Sequence, residues 1–447
     1  MTIRRTQRRD PMDSVIESAL QPGRFIGWNE GVSFVSDLSH MEGEIKGIVP
    51  SDPARAAALY ETFIAGCNLK AEEIDDSDGE LGTFAGGLFC GWIQARQAAG
   101  ADRGKTAKLL LTWMEHDDYG FCNDLGRDAV KFLDRAGLEA FELEVQVRFE
   151  AACKAAGKRE DRALNYGCDG WGQILRSIFL EQRSIEKYLD LTARTELKQA
   201  DCEAIASMFQ SKRKLNDALA WVERGLGMEQ RNSFGGVSHK LSEMRRTLLV
   251  KLRRGGEALD SAWAEFQAHP SQFTYQELLR YVPKAQRAAW HEKAMVASEG
   301  GDLPSIIELW LGAKEIDRLV ARLEAVSNTH LENLSHYVTE PAAERLAKTH
   351  PGVAARVFRA LCMRIIDAGK SKYYDAALTN LEKAKSCYRN AGLDAQWQAL
   401  AAEIRRDHFR KSAFMPGFER IVRDARPEKE PSFLDRARGR WASRAKA

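Results

Sequence analysis

No run of the roughly 18 apolar residues that a membrane-crossing helix needs occurs in the 447 residues, which argues against an integral membrane protein. Cysteine is present but not in any useful spacing. Cys67, Cys90, Cys122, Cys153, Cys168, Cys202, Cys362 and Cys387 form no CxxC pair and no Cys/His cluster at zinc distance, so neither a disulfide framework nor a structural metal is expected. An excess of one charge is also missing. The 66 basic and 64 acidic residues leave +2, too little for a dedicated nucleic-acid binder, and the balance favours protein partners. Phosphate-binding glycine loops, nucleophile elbows and paired-carboxylate motifs do not occur, so no cofactor is expected. The opening MTIRRTQRRD has charge but no apolar run behind it, which predicts a cytoplasmic chain rather than a secreted one.

What is present is helical periodicity. In residues 372–392 the apolar positions Tyr374, Ala377, Leu378, Leu381, Ala384 and Tyr388 fall on one face of a helix, and Gly392 ends it. Small alanines on that face let a neighbouring helix approach closely, as in the second helix of a tetratricopeptide hairpin. The same grammar recurs at Ala218, Leu219, Val222 and Gly225, with a partial copy at Ala258, Leu259 and Ala262. The intervals are unequal, so the array is degenerate. The expected fold is all-α, a tetratricopeptide-like superhelix of antiparallel helix pairs.

The chain divides into a basic lead-in over residues 1–30, a helical region over 31–156, a helical-repeat superhelix over 157–425 and a basic tail over 426–447. Four arginines lie in the first nine residues, and the tail carries seven basic against three acidic side chains. Ser51-Asp52-Pro53 reads as an N-cap with proline in the first turn. Single helices are predicted over 125–137 and 308–326, and a break over 167–172, where Gly167, Gly170 and Gly172 cluster.

The candidate sites are few. In the run Asp75-Asp76-Ser77-Asp78-Gly79-Glu80, a calcium-loop frame on Gly79 would place Ile74 and Ala85 at ligand positions where neither can donate oxygen, so a helix cap is the better reading. Arg345 and His350 have the Arg-x4-His spacing of some helical ribonucleases, a pattern that chance also supplies with nine histidines in the chain. His291-Glu292 begins like a zinc-protease helix but has Met295 where the second histidine belongs, so no catalytic residue is assigned there. Most of the ten tryptophans are expected in the core, and Trp171, flanked by Gly170 and Gly172, is the candidate partner contact.

A family resemblance rests on the 74–81 segment, the Asp118-Tyr119-Gly120 turn, the 213–226 helix and residues 373–418, which end His408-Phe409-Arg410-Lys411 and Met415-Pro416-Gly417-Phe418. Together they resemble an uncharacterised bacterial helical family, similar to the region following the zinc finger of SWIM-type proteins. The resemblance implies a helical repeat fold and no established activity. The CxC and CxH of the finger are absent from the chain, so no metal or DNA role is implied. The reading is a non-catalytic scaffold for a protein partner, with a nucleic-acid-associated protein or helical ribonuclease as the alternative.

Overall fold

A computed structural model describes residues 10–156, 162–228 and 236–423. The fold is all-α, with no β-strand among the described residues and one isolated parallel bridge between Ile26 and Ile74. It forms two compact units, Met1–Leu252 and Arg253–Ala447.

The first unit runs α1 (Pro11–Ala19), α2 (Trp28–Ile48), α3 (Pro53–Lys70), α4 (Glu80–Ala98), α5 (Arg103–Glu115), α6 (Leu125–Phe132), α7 (Arg135–Ala156), α8 (Arg162–Glu181), α9 (Ile185–Arg194), α10 (Gln199–Ser211), α11 (Leu215–Leu226) and α12 (Gly236–Lys251). Helices pack on their successors and on the next but one: α3 and α2 on α4, α4 and α8 on α6, α5 and α8 on α7, α11 and α12 on α10. That is the contact pattern of stacked hairpins, in which every new pair covers the open face of the last. Its core includes Tyr60, Phe63, Trp92, Phe141, Phe149 and Leu175.

The second unit runs α13 (Gly255–Ala268), α14 (Gln272–Tyr281), α15 (Arg287–Ser298), α16 (Leu303–Ala313), α17 (Ile316–Ala325), α18 (Asn328–Asn333), α19 (His336–Leu346), α20 (Pro351–Asp367), α21 (Tyr374–Asn390), α22 (Asp394–His408) and α23 (Met415–Val422). Here α20 is the hub, packed by α17, α18, α19 and α21, while α21 carries α22 and α23. At the end of the family-like stretch 373–418, Phe409 is exposed and the two phenylalanines after it are packing. Phe414 and Phe418 are wholly buried, and a side chain at Gly417 would collide with Leu378 of α21.

Six of the turns between helices share one construction. At Gly100, Arg183, Arg213, Lys314, Gly369 and Gly392 the backbone turns left-handed. The next amide then donates back five residues, as from Lys214 to the Phe209 carbonyl at 3.0 Å and from Leu393 to Tyr388 at 2.9 Å. This closes the last helical turn on its own carbonyls. Half of these turns use glycine, for which the conformation costs nothing, and half use a basic residue, for which it costs about 1–2 kcal/mol. No local propensity announces Lys314, and for that reason the single helix expected over 308–326 is in fact α16 and α17. The helix expected over 125–137 is likewise divided, because Asp134 caps α7 by accepting from the Gly137 amide at 2.6 Å.

The predicted lead-in also needs correcting beyond residue 9. Ile16, Leu20 and Ile26 are buried, and the Lys70 ammonium, 2% exposed, donates to the Arg24 carbonyl at 2.6 Å and to Glu73 at 2.9 Å. The N-terminal arginines and the tail from Arg426 lie outside the described residues.

The break expected over 167–172 lies inside α8. Three glycines within six residues cost a helix about 1 kcal/mol each relative to alanine. Tertiary contacts offset it. A side chain at Gly172 would meet the Arg176 guanidinium at 3.2 Å, and one at Gly167 would touch Ala152 of α7. Cys153 and Cys168 join α7 to α8 in a disulfide, although their spacing in the sequence suggests no disulfide framework. A cross-link at a sequence separation of 15 is worth about 3 kcal/mol, comparable with the glycine deficit it accompanies.

Candidate functional site

The clearest unsatisfied chemistry in the second unit lies between α19, α20 and α21. Each helix brings a different kind of group. Ser335 precedes α19, whose first turn carries His336 and Tyr337 with ring centroids 4.0 Å apart. Tyr337 is 78% exposed, unusual for a tyrosine on a packed helix. Pro341 sits inside α19 and has no N–H to give the Tyr337 carbonyl four residues back. From α20 come Leu361, Ile365 and Arg364, whose Nη1 donates to the Leu334 carbonyl at 2.9 Å. The left-handed Gly369 then swings the chain through Lys370 into a 3-10 turn, Ser371–Tyr373, which leaves Tyr373 half exposed.

These groups enclose a cavity of about 590 Å³, floored by Ala376, Thr379 and Asn380 of α21. Drug-sized and peptide side-chain ligands occupy hollows of this order, roughly 300–1,000 Å³. Thr379 spends its hydroxyl proton on the Asp375 carbonyl at 2.9 Å. Asn380 is different. It is 7% exposed, and its Oδ1 has no hydrogen-bond partner among the described residues. An unsatisfied buried amide oxygen costs about 1–3 kcal/mol, and a ligand's donor reaches this one only when the side chain turns it toward the hollow.

The electrostatics lean positive. Glu340 is the one acid among the lining residues, and it faces Lys383 at 3.7 Å. Lys383 also donates to Glu344 at 2.8 Å, and that bond raises its ammonium above the usual lysine range. Arg364 and Lys370 therefore dominate the field in the hollow.

The residues singled out in the sequence lie elsewhere. Trp171 is partly buried against the first unit's core and lines a hollow of about 600 Å³ with Met114, Asn123, Arg127 and Ile174. Arg345 is exposed in the last turn of α19, and His350 caps α20, its Nδ1 3.0 Å from the Thr349 hydroxyl. No hydrogen bond joins Arg345 to His350 among the described residues. The acidic run caps α4: Asp76 accepts from the Leu81 amide at 2.8 Å and from Gly82 at 2.9 Å, with Gly79 left-handed before the helix. His291 bridges the Tyr275 hydroxyl at 2.6 Å and Glu315 at 2.8 Å, holding α14 and α15 to the turn at Lys314. Trp92, Trp310 and Trp397 are core residues. Asn380, between Ala377 and Leu381, is one of two polar residues on the buried face of α21, with Lys385.

Residues 18–416 match the model of a family described as "Family of unknown function (DUF6880)". The chain belongs to that family. No curated protein matches it. Solved structures that match this DUF6880 member include the one described as Naa15/Naa10 bound to HypK-THB, at 13% identity and a TM-score of 0.30. That match covers 86% of this chain and 66% of the other, just under two thirds of its length. A likeness so slight carries no argument about partners. No helix among the described residues is long and apolar enough to cross a membrane.

Proposed function

We propose that this DUF6880 member is a non-catalytic helical-repeat scaffold that holds a segment of a partner protein in the α19–α21 cavity. The observation that carries the reading is the coincidence of two exposed tyrosines with a buried, unsatisfied amide in one hollow. Exposed aromatic rings beside a concave surface are the anchors of protein interfaces, since each buries a large area at small entropic cost. Trp171 offers a further contact on the first unit.

A photo-crosslinking amino acid placed at Tyr373, and as a control at the exposed Phe273, tests the proposal. Crosslinking to one discrete protein at position 373, lost when Tyr337 is replaced by alanine, supports it. Equal labelling at both positions, or recovery of nucleic acid instead of protein, overturns it.

A further inference from the structure

Resting on that reading of the cavity, we infer that its ligand is an extended acidic segment of the partner protein. The argument starts at Asn380. Its side-chain amide carries an acceptor and a donor in one plane, the same pair of groups that a peptide unit presents in reverse. Rotation about χ2 exchanges the two atoms, so either can be offered to a strand lying across α21. A peptide in extended form keeps its N–H and C=O unused and can pair with the amide once that rotation turns the oxygen, shut in as it stands, toward the hollow.

Charge selects among peptides. Arg364 and Lys370 line the hollow against one acid, Glu340, which shares Lys383 with Glu344. Arg364 is held in place by its bond to the Leu334 carbonyl, which leaves the rest of its guanidinium fork to accept a carboxylate. A basic segment would meet these two cations and be repelled. An acidic one gains charge-assisted contacts with both. The rings of Tyr337 and Tyr373, with Leu361 and Ile365 behind them, then take an apolar side chain next to the acid. The ligand is thus an acidic residue beside an aliphatic or aromatic one, in extended backbone.

The test is selection of a displayed random 12-residue peptide library on the full chain, followed by fluorescence anisotropy of the enriched peptides. Enrichment of Asp or Glu beside an apolar residue is expected. Lys370→Glu and Asn380→Leu should each weaken such peptides by about tenfold, and binding should weaken as salt rises. Lys370 is exposed, so its variant keeps the inference testable even where Asn380→Leu disturbs packing. Enriched peptides that are neutral or basic, yet lose binding in Tyr337→Ala, would overturn the acidic ligand while leaving the cavity as a partner site. Enriched peptides indifferent to all three variants, or no enrichment at all, would overturn both.

Discussion

The α7–α8 and α20–α21 hairpins are both tightly packed pairs, and they are held together by different means. In α20–α21 the sequence is enough: Val357, Leu361, Ala377, Leu381 and Ala384 make a continuous buried seam in which small residues face large ones. In α7–α8 the second helix contains three glycines and is secured by a disulfide, and its far half by a buried ion pair. There Arg176 donates through Nε to Asp201 at 2.6 Å and through Nη2 to the Thr195 hydroxyl at 2.7 Å, while Tyr188 donates to the same carboxylate at 2.9 Å. Burial and the Asp201 charge push the Tyr188 phenol well above its usual range. Both hairpins bury a periodic apolar face, and only α7–α8 adds specific cross-links to it.

Removing one partner of the buried pair should have the largest effect. Asp201→Ala strands the Arg176 charge and should cost about 3–5 kcal/mol, read as faster hydrogen exchange across α8, α9 and α10. Unchanged exchange there would show that the pair is idle. The matching cut in the other hairpin is Leu381→Ala, at about 2–5 kcal/mol, with faster exchange confined to α20 and α21.

Next in size is the disulfide. Cys153→Ser with Cys168→Ser should cost about 3 kcal/mol and loosen the first half of α8 while leaving α20–α21 untouched. Iodoacetamide should label Cys153 and Cys168 after reduction. Cys67, Cys122 and Cys362 should stay unlabelled in the folded protein, since burial pushes their thiols up to about 12. Labelling of all five at similar rates would contradict the assignment of a cross-linked pair against buried thiols. The smallest effect expected is a gain: Arg213→Gly relieves a left-handed arginine and should raise stability by about 0.5–1 kcal/mol, seen as a higher unfolding midpoint for α10–α11.

This contrast also explains what could be read without coordinates. The α21 stripe, the Asp52 cap and the Gly392 stop are local signals, and each corresponds to a structural feature. The repeat between residues 218–225 and 377–384 is likewise visible, with Ala218 and Val222 buried in α11 and Ala377 and Leu381 buried in α21. What escaped the sequence depends on distant partners. Gly167, Gly170 and Gly172 look like a break because helix propensity knows nothing of Ala152, Phe149 or the Cys153 sulfur. Lys314 looks like helix interior because lysine rarely turns left-handed. The cavity lay hidden for a related reason. The stripe of α21 already separates buried Tyr374 from exposed Tyr373, but nothing local shows that the Tyr373 ring lies beside Tyr337, 36 residues away in sequence, on one hollow.

Hydrogen exchange of the full chain with and without a library-selected peptide tests the partner-site claim most directly. The account predicts slowed exchange in the first turn of α19, the end of α20 and residues 370–380, with α7–α8 unchanged. Protection centred on Trp171, or on the stretch from Arg345 to His350, with none around Asn380, would contradict it.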